Sequence, residues 1–144
     1  MSVRRFLSKL DHDRIVAAIG AAESRTSGQI RVHVTHRRPR DLEARARHRF
    51  ERLGMTRTAR RNGVLLYIAP MLRRFQILGD DGIHEKCGDD FWRATAGEME
   101  ERFRRGEFTE GIVRGVEKIG EVLAAHFPRE AAGENELPDE VTED

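Results

Sequence analysis

The stretch Asn62-Gly63-Val64-Leu65-Leu66-Tyr67-Ile68-Ala69-Pro70-Met71-Leu72-Arg73-Arg74-Phe75-Gln76-Ile77-Leu78-Gly79-Asp80-Asp81-Gly82 decides the fold class. From Gly63 to Ala69 it is an unbroken apolar run of strand length, the pattern of a central strand covered on both faces. Pro70 cannot donate to a ladder and ends the run. After a short basic link, Arg74-Phe75-Gln76-Ile77-Leu78 reads as a second strand, close enough in sequence to pair with the first as an antiparallel hairpin. That strand runs straight into Gly79-Asp80-Asp81-Gly82. Asp80, Asp81 and Glu85 place three carboxylates within six residues, beside glycines that let the backbone turn tightly, so this turn is the site candidate.

Upstream, Gln29 to Thr35 alternates strictly, with Ile30, Val32 and Val34 on one face and Arg31, His33 and Thr35 on the other. This predicts a half-buried strand at or near an edge. Between it and the central run lies a helix, opened by Pro39 and Asp41 and ending near Leu53, with Leu42, Ala46, Phe50 and Leu53 as its apolar stripe. A strand-helix-strand unit predicts a parallel pair joined by a right-handed crossover. Gly28 and Gln29, Asn62 and Gly63, and Gly79 and Asp80 then share one edge of the sheet, where the Gln29 carbonyl joins the carboxylates. Three further helices follow from periodicity: Asp11 (as N-cap) to Ser24, Asp89 to Arg105 with Phe91, Trp92, Thr95, Met99 and Phe103 inward, and Phe108 to His126. Gly111 and Gly115 leave room on the last helix for a close neighbour.

At 144 residues and 38% hydrophobic, the chain suits one α/β domain over 1–128. From Pro128 onward seven acids accompany one base, which leaves 18 acids and 25 bases in the body. The acidic tail 129–144 has little to bury and is expected to be disordered. The sequence contains no transmembrane run and no secretory leader pattern, and its single Cys87 has no disulfide partner; a cytoplasmic monomer is expected.

Four pieces carry a family resemblance: Thr26-Ser27-Gly28-Gln29-Ile30-Arg31-Val32, Asn62 to Ala69, Gly79-Asp80-Asp81-Gly82-Ile83, and Phe103-Arg104-Arg105-Gly106-Glu107-Phe108-Thr109-Glu110-Gly111. In their order and spacing, from Thr26 to Pro128, the sequence resembles the TPM domain, and within it the soluble, stand-alone bacterial form. The resemblance implies a three-layer α/β/α sandwich with a small mixed, Rossmann-like central sheet. It also implies a divalent cation, calcium in some members, at acidic loops on the sheet edge. Phosphatase activity and roles in membrane-associated repair or assembly are ascribed to different relatives. Two departures both remove negative charge: position 29, often Glu in similar sequences, is Gln, and the hairpin link, which often carries an Asp, reads Met71-Leu72-Arg73-Arg74.

The metal candidates are therefore Asp80, Asp81, Glu85 and Gln29, for calcium or magnesium, with water completing the six to eight oxygens that calcium takes. Their spacing does not match an EF-hand. The competing reading makes Asp80 or Asp81 the cap of a short helix over Gly82 to Lys86, with Glu85 solvated and Asp89 and Asp90 opening the next helix. His84 and Cys87 form a lone HxxC pair without a second pair to complete a zinc site. Ten arginines between Arg37 and Arg61 face only three acids; Arg37, Arg38, Arg45, Arg49 and Arg52 suit an anionic surface, or a solvated helix face neutralised in part by the acidic tail. The expected function is a divalent-cation-binding interaction or assembly module with a protein partner. The alternatives are a metal-dependent phosphatase and a basic binder of nucleic acid or membrane surface.

Overall fold

The apolar run forms strand β2 (Gly63–Ala69), and every one of its residues is buried. Parallel to it lies β1 (Gln29–Val34), in the register Gln29 to Gly63 through Val34 to Ile68. On its other side β3 (Arg74–Gly79) runs antiparallel, pairing Val64 with Gly79 and Ala69 with Arg74. A computed structural model describes residues 1–129 and 141–144 of the chain. Its helices are α1 (Val3–Ser8), α2 (His12–Glu23), α3 (Leu42–Arg52), α4 (Asp81–Arg104) and α5 (Phe108–His126), and a last strand, β4 (Val141–Glu143), completes a sheet of order β3-β2-β1-β4.

The alternation of β1 and β2 sends side chains to two cores. Ile30, Val32, Val34, Val64, Leu66 and Ile68 pack against α1, α2, α4 and α5. Leu65, Tyr67, Ala69 and Leu78 pack against Leu42, Ala46 and Phe50 of α3 and against Met55. Helices on both faces of an open mixed sheet make this the three-layer α/β/α sandwich expected. Asp11 and Asp41 cap α2 and α3 as their sequences require, accepting from the amides of Arg14 and Ala44 at 3.2 and 3.0 Å. Gly111 and Gly115 permit the close crossing of α5 and α4: a Cβ on either would stand 2.5 Å from Phe103 or Met99.

Four expectations change. First, α1 is an additional helix, anchored by Phe6, whose ring lies 5.1 Å from that of Phe108. Second, β1 is buried along its whole length rather than half-buried, with His33 stacked on Tyr67 and β4 paired along the edge from Val32. Third, α4 is two helical segments joined across a non-helical Gly88: the short helix capped by Asp80 and the helix expected from Asp89 are both present, but Phe91 and Trp92 lie half-buried, edge-on to one another, rather than deep in the core. Fourth, the acidic tail is not irregular throughout: Val141–Glu143 pair with β1, while 130–140 lie outside the described residues.

Gly88 adopts φ 72°, ψ 175°, a conformation essentially reserved for glycine. Gly88→Ala should cost about 1–3 kcal/mol and lower the melting temperature by roughly 5 °C. Gly97, in the body of α4, has nothing within 4 Å of an added Cβ. Gly97→Ala should instead stabilise by about 0.5–1 kcal/mol. Paired thermal melts of the two variants check both signs.

Candidate functional site

Gln29, Gly63 and Asp80 fall in one row across the sheet: Gln29 pairs with Gly63, whose carbonyl accepts the Asp80 N–H at 2.9 Å. The row places the predicted candidates together at the backbone level. The side chains arrange themselves differently. Asp80, only 6% exposed, caps α4: its Oδ1 accepts the Asp81 N–H at 2.8 Å. Both of its oxygens also accept from the Arg61 guanidinium, Nε to Oδ2 at 2.7 Å and Nη2 to Oδ1 at 2.8 Å. Asp81 Oδ2 lies 4.0 Å from the same guanidinium, with its side chain 83% exposed. Glu85 is exposed one turn further along α4, and Gln29 is buried at the start of β1.

Arg61 holds a left-handed backbone, φ 52°, and its carbonyl accepts the Gly82 N–H at 2.8 Å, so the residue grips the first turn of α4 by both main chain and side chain. The hydrogen bonds it donates to Asp80, and then the charge of that carboxylate, raise the guanidinium pKa above its ordinary value. The four predicted ligands do not fit a divalent cation in this arrangement. Calcium needs free carboxylate oxygens, and here a fixed positive fork stands between Asp80 and Asp81. Among the described residues, no three His, Cys, Asp or Glu side chains come together to hold a metal ion. His84 turns to Trp92, whose indole N–H donates to Nδ1 at 3.1 Å, and burial pushes the Cys87 thiol up, away from thiolate reactivity.

A second polar assembly lies at the β1–β4 edge. His33 is buried and stacks on Tyr67, ring centroids 5.5 Å apart and planes at 15°. The Asp144 carboxylate accepts from the Thr35 hydroxyl at 3.1 Å, the His36 N–H at 3.0 Å and Arg49 Nη2 at 3.1 Å, with Arg37 Nε at 3.7 Å. Of the five arginines expected to form an anionic-surface site, two are thus engaged by the acidic segment. Arg38, Arg45 and Arg52 make no ion pair among the described residues. Sequence reading missed this assembly, because a stretch dominated by acids gives no strand pattern beyond Val141-Thr142. A third feature, a groove of about 780 Å³ at the opposite end of β2 from Asp80, is lined by Phe6, Phe75, Phe103 and Phe108 with Lys9 and Arg74.

The sequence profile of the TPM domain matches residues 3–122. The chain belongs to the TPM domain family. Its fold is also that of the BA42 protein from the psychrophilic bacterium Bizionia argentinensis, solved by NMR: 40% identity over 92% of each chain, with a TM-score of 0.86. No curated protein is significantly similar to it. In this TPM domain the Thr26-Ser27-Gly28 stretch has a structural role. The Thr26 hydroxyl accepts the Gly28 N–H at 3.0 Å and donates to the carbonyls that end α5, at Leu123 and Phe127, locking the entry of β1 to the last helix.

Two outcomes follow from the geometry. Arg61→Gln removes the competing charge, so millimolar calcium should raise the melting temperature of the variant more than that of the wild type; equal shifts would show that the guanidinium does not compete. At the other assembly, burial holds the His33 pKa below its ordinary value, against the opposing pull of Asp144. Folding therefore favours the neutral ring, and its contribution is complete above the ordinary value of about 6.5 and lost as pH falls below it. The melting temperature should drop from pH 7 to pH 5 less steeply in His33→Gln than in the wild type, as calorimetric scans across that range would read.

Proposed function

We propose that this TPM domain serves as an interaction or assembly module rather than as a hydrolase. The observation that carries the reading is the Arg61–Asp80 pair. A phosphatase of the metal-dependent kind requires carboxylates free to hold an ion that polarises the phosphoryl oxygen and activates water. In this chain the most buried carboxylate of the acidic turn is committed to a guanidinium and a helix cap.

A binding role is supported by what remains available. Arg38, Arg45 and Arg52 lie on α3 or the loop before it and make no ion pair among the described residues, which leaves their charge available to an acidic partner. Such charges steer acidic partners and set orientation more than they supply affinity. On this reading a divalent cation is no part of the chemistry, and the acidic turn is a structural corner.

An aryl phosphate assay in calcium, magnesium or manganese tests the proposal. Background turnover should be the same for wild type and Asp80→Asn. Metal-stimulated turnover that Asp80→Asn abolishes would overturn the reading in favour of a phosphatase.

A further inference from the structure

The edge of β1 is prepared to receive an extended acidic segment. The Thr35 N–H bonds to Ile68 of β2 at 2.9 Å, so by strand alternation Ile30, Val32 and Val34 turn their backbone groups to the opposite edge. At the start of that edge the buried Glu23 carboxylate accepts the Ile30 N–H at 2.8 Å, standing in for a strand carbonyl. From Val32 onward β4 takes over, in the parallel register Val32–Val141, His33–Thr142 and Val34–Glu143.

Each residue of the docked segment meets a matching group on the body. The Thr142 hydroxyl lies 2.8 Å from His33 Nδ1, and Glu143 lies 2.8 Å from His36 Nε2. The Asp144 carboxylate is received by Thr35, the His36 amide, Arg37 and Arg49, and its side chain is only 10% exposed. These receiving groups come from β1, the turn after it and α3. The occupant, by contrast, is three residues long, with Val141 and Thr142 half-buried and Glu143 exposed. So short an edge strand opens at small cost.

We propose that the β1 edge is a docking site for an extended segment of a partner protein, β-branched residue–hydroxyl residue–acid–acid, and that Val141–Asp144 occupy it in cis. The partner strand adds to the sheet by main-chain hydrogen bonds. The hydroxyl and carboxylate seats select its sequence. Because the cis segment is tethered, its high effective concentration keeps weak competitors out and sets a threshold that a longer or better-matched partner strand exceeds. The inference rests on the interaction-module reading for its meaning, but the measurement below reads the surface directly and is independent of the phosphate assay.

A fluorescent, acetylated and amidated peptide, Glu-Val-Thr-Glu-Asp, is titrated into the full chain and into the full-chain variant Thr142→Ala/Asp144→Ala, with folding of each checked by circular dichroism. The variant should bind at least tenfold more tightly than the wild type, and adding Arg37→Ala/Arg49→Ala should remove that binding. Amide shifts should concentrate at Ile30 to His36. No binding by the folded variant, equal binding by variant and wild type, or binding indifferent to Arg37 and Arg49 would each overturn the proposal. A concentration-dependent wild-type dimer that Asp144→Ala dissolves would also overturn it, assigning the edge to a second copy.

Discussion

The pairing of Arg61 with Asp80 is the constraint on which the acidic corner depends. Three chain segments meet there: the loop entering β2, the end of β3 and the first turn of α4. The guanidinium fixes the Asp80 carboxylate, the Arg61 carbonyl takes a first-turn amide of α4, and the Asp80 amide closes onto Gly63. A helix start presents unsatisfied N–H groups, and this one is satisfied from two directions. The left-handed backbone of Arg61 is the local strain that lets one residue supply both contacts.

That corner also explains what the sequence could and could not disclose. Gly63–Ala69 and Gln29–Val34 were legible because burial imposes a pattern on every residue of a strand, and α2, α3 and α5 because their apolar stripes and caps agree. The corner's backbone row was legible too, since parallel and antiparallel pairing fixed which strand ends meet. The side-chain outcome was not. Arg61 is one arginine among ten in its neighbourhood, and nothing in spacing distinguishes the one that folds back onto a carboxylate from those that face water. Likewise α1 is too short for periodicity to register, with Phe6 and Val3 its only buried residues, whereas the helical segment after Gly88 was legible because Asp89 and Asp90 open it.

Charge is handled the same way in both polar assemblies. A body rich in arginine brings a guanidinium to a buried carboxylate, Arg61 to Asp80 at one end of the strands and Arg49 to Asp144 near the other. At Arg61 two parallel donors fix orientation as well as charge, while Arg49 reaches Asp144 through Nη2 alone. The separation of acids into a turn and a terminal stretch, visible as a compositional asymmetry, becomes in the folded chain a pair of cross-links.

The pairing of β4 with β1 has a colloidal consequence. Without it, β1 would present the open backbone groups of Val32 and Val34, a ladder on which strands from other copies could stack. With it, the outermost strand is short and carries Thr142 and Glu143, and a charged, three-residue edge is a poor template for further growth. Proteolytic loss of the acidic segment would therefore turn an ordinary domain into a nucleus for edge-to-edge aggregation.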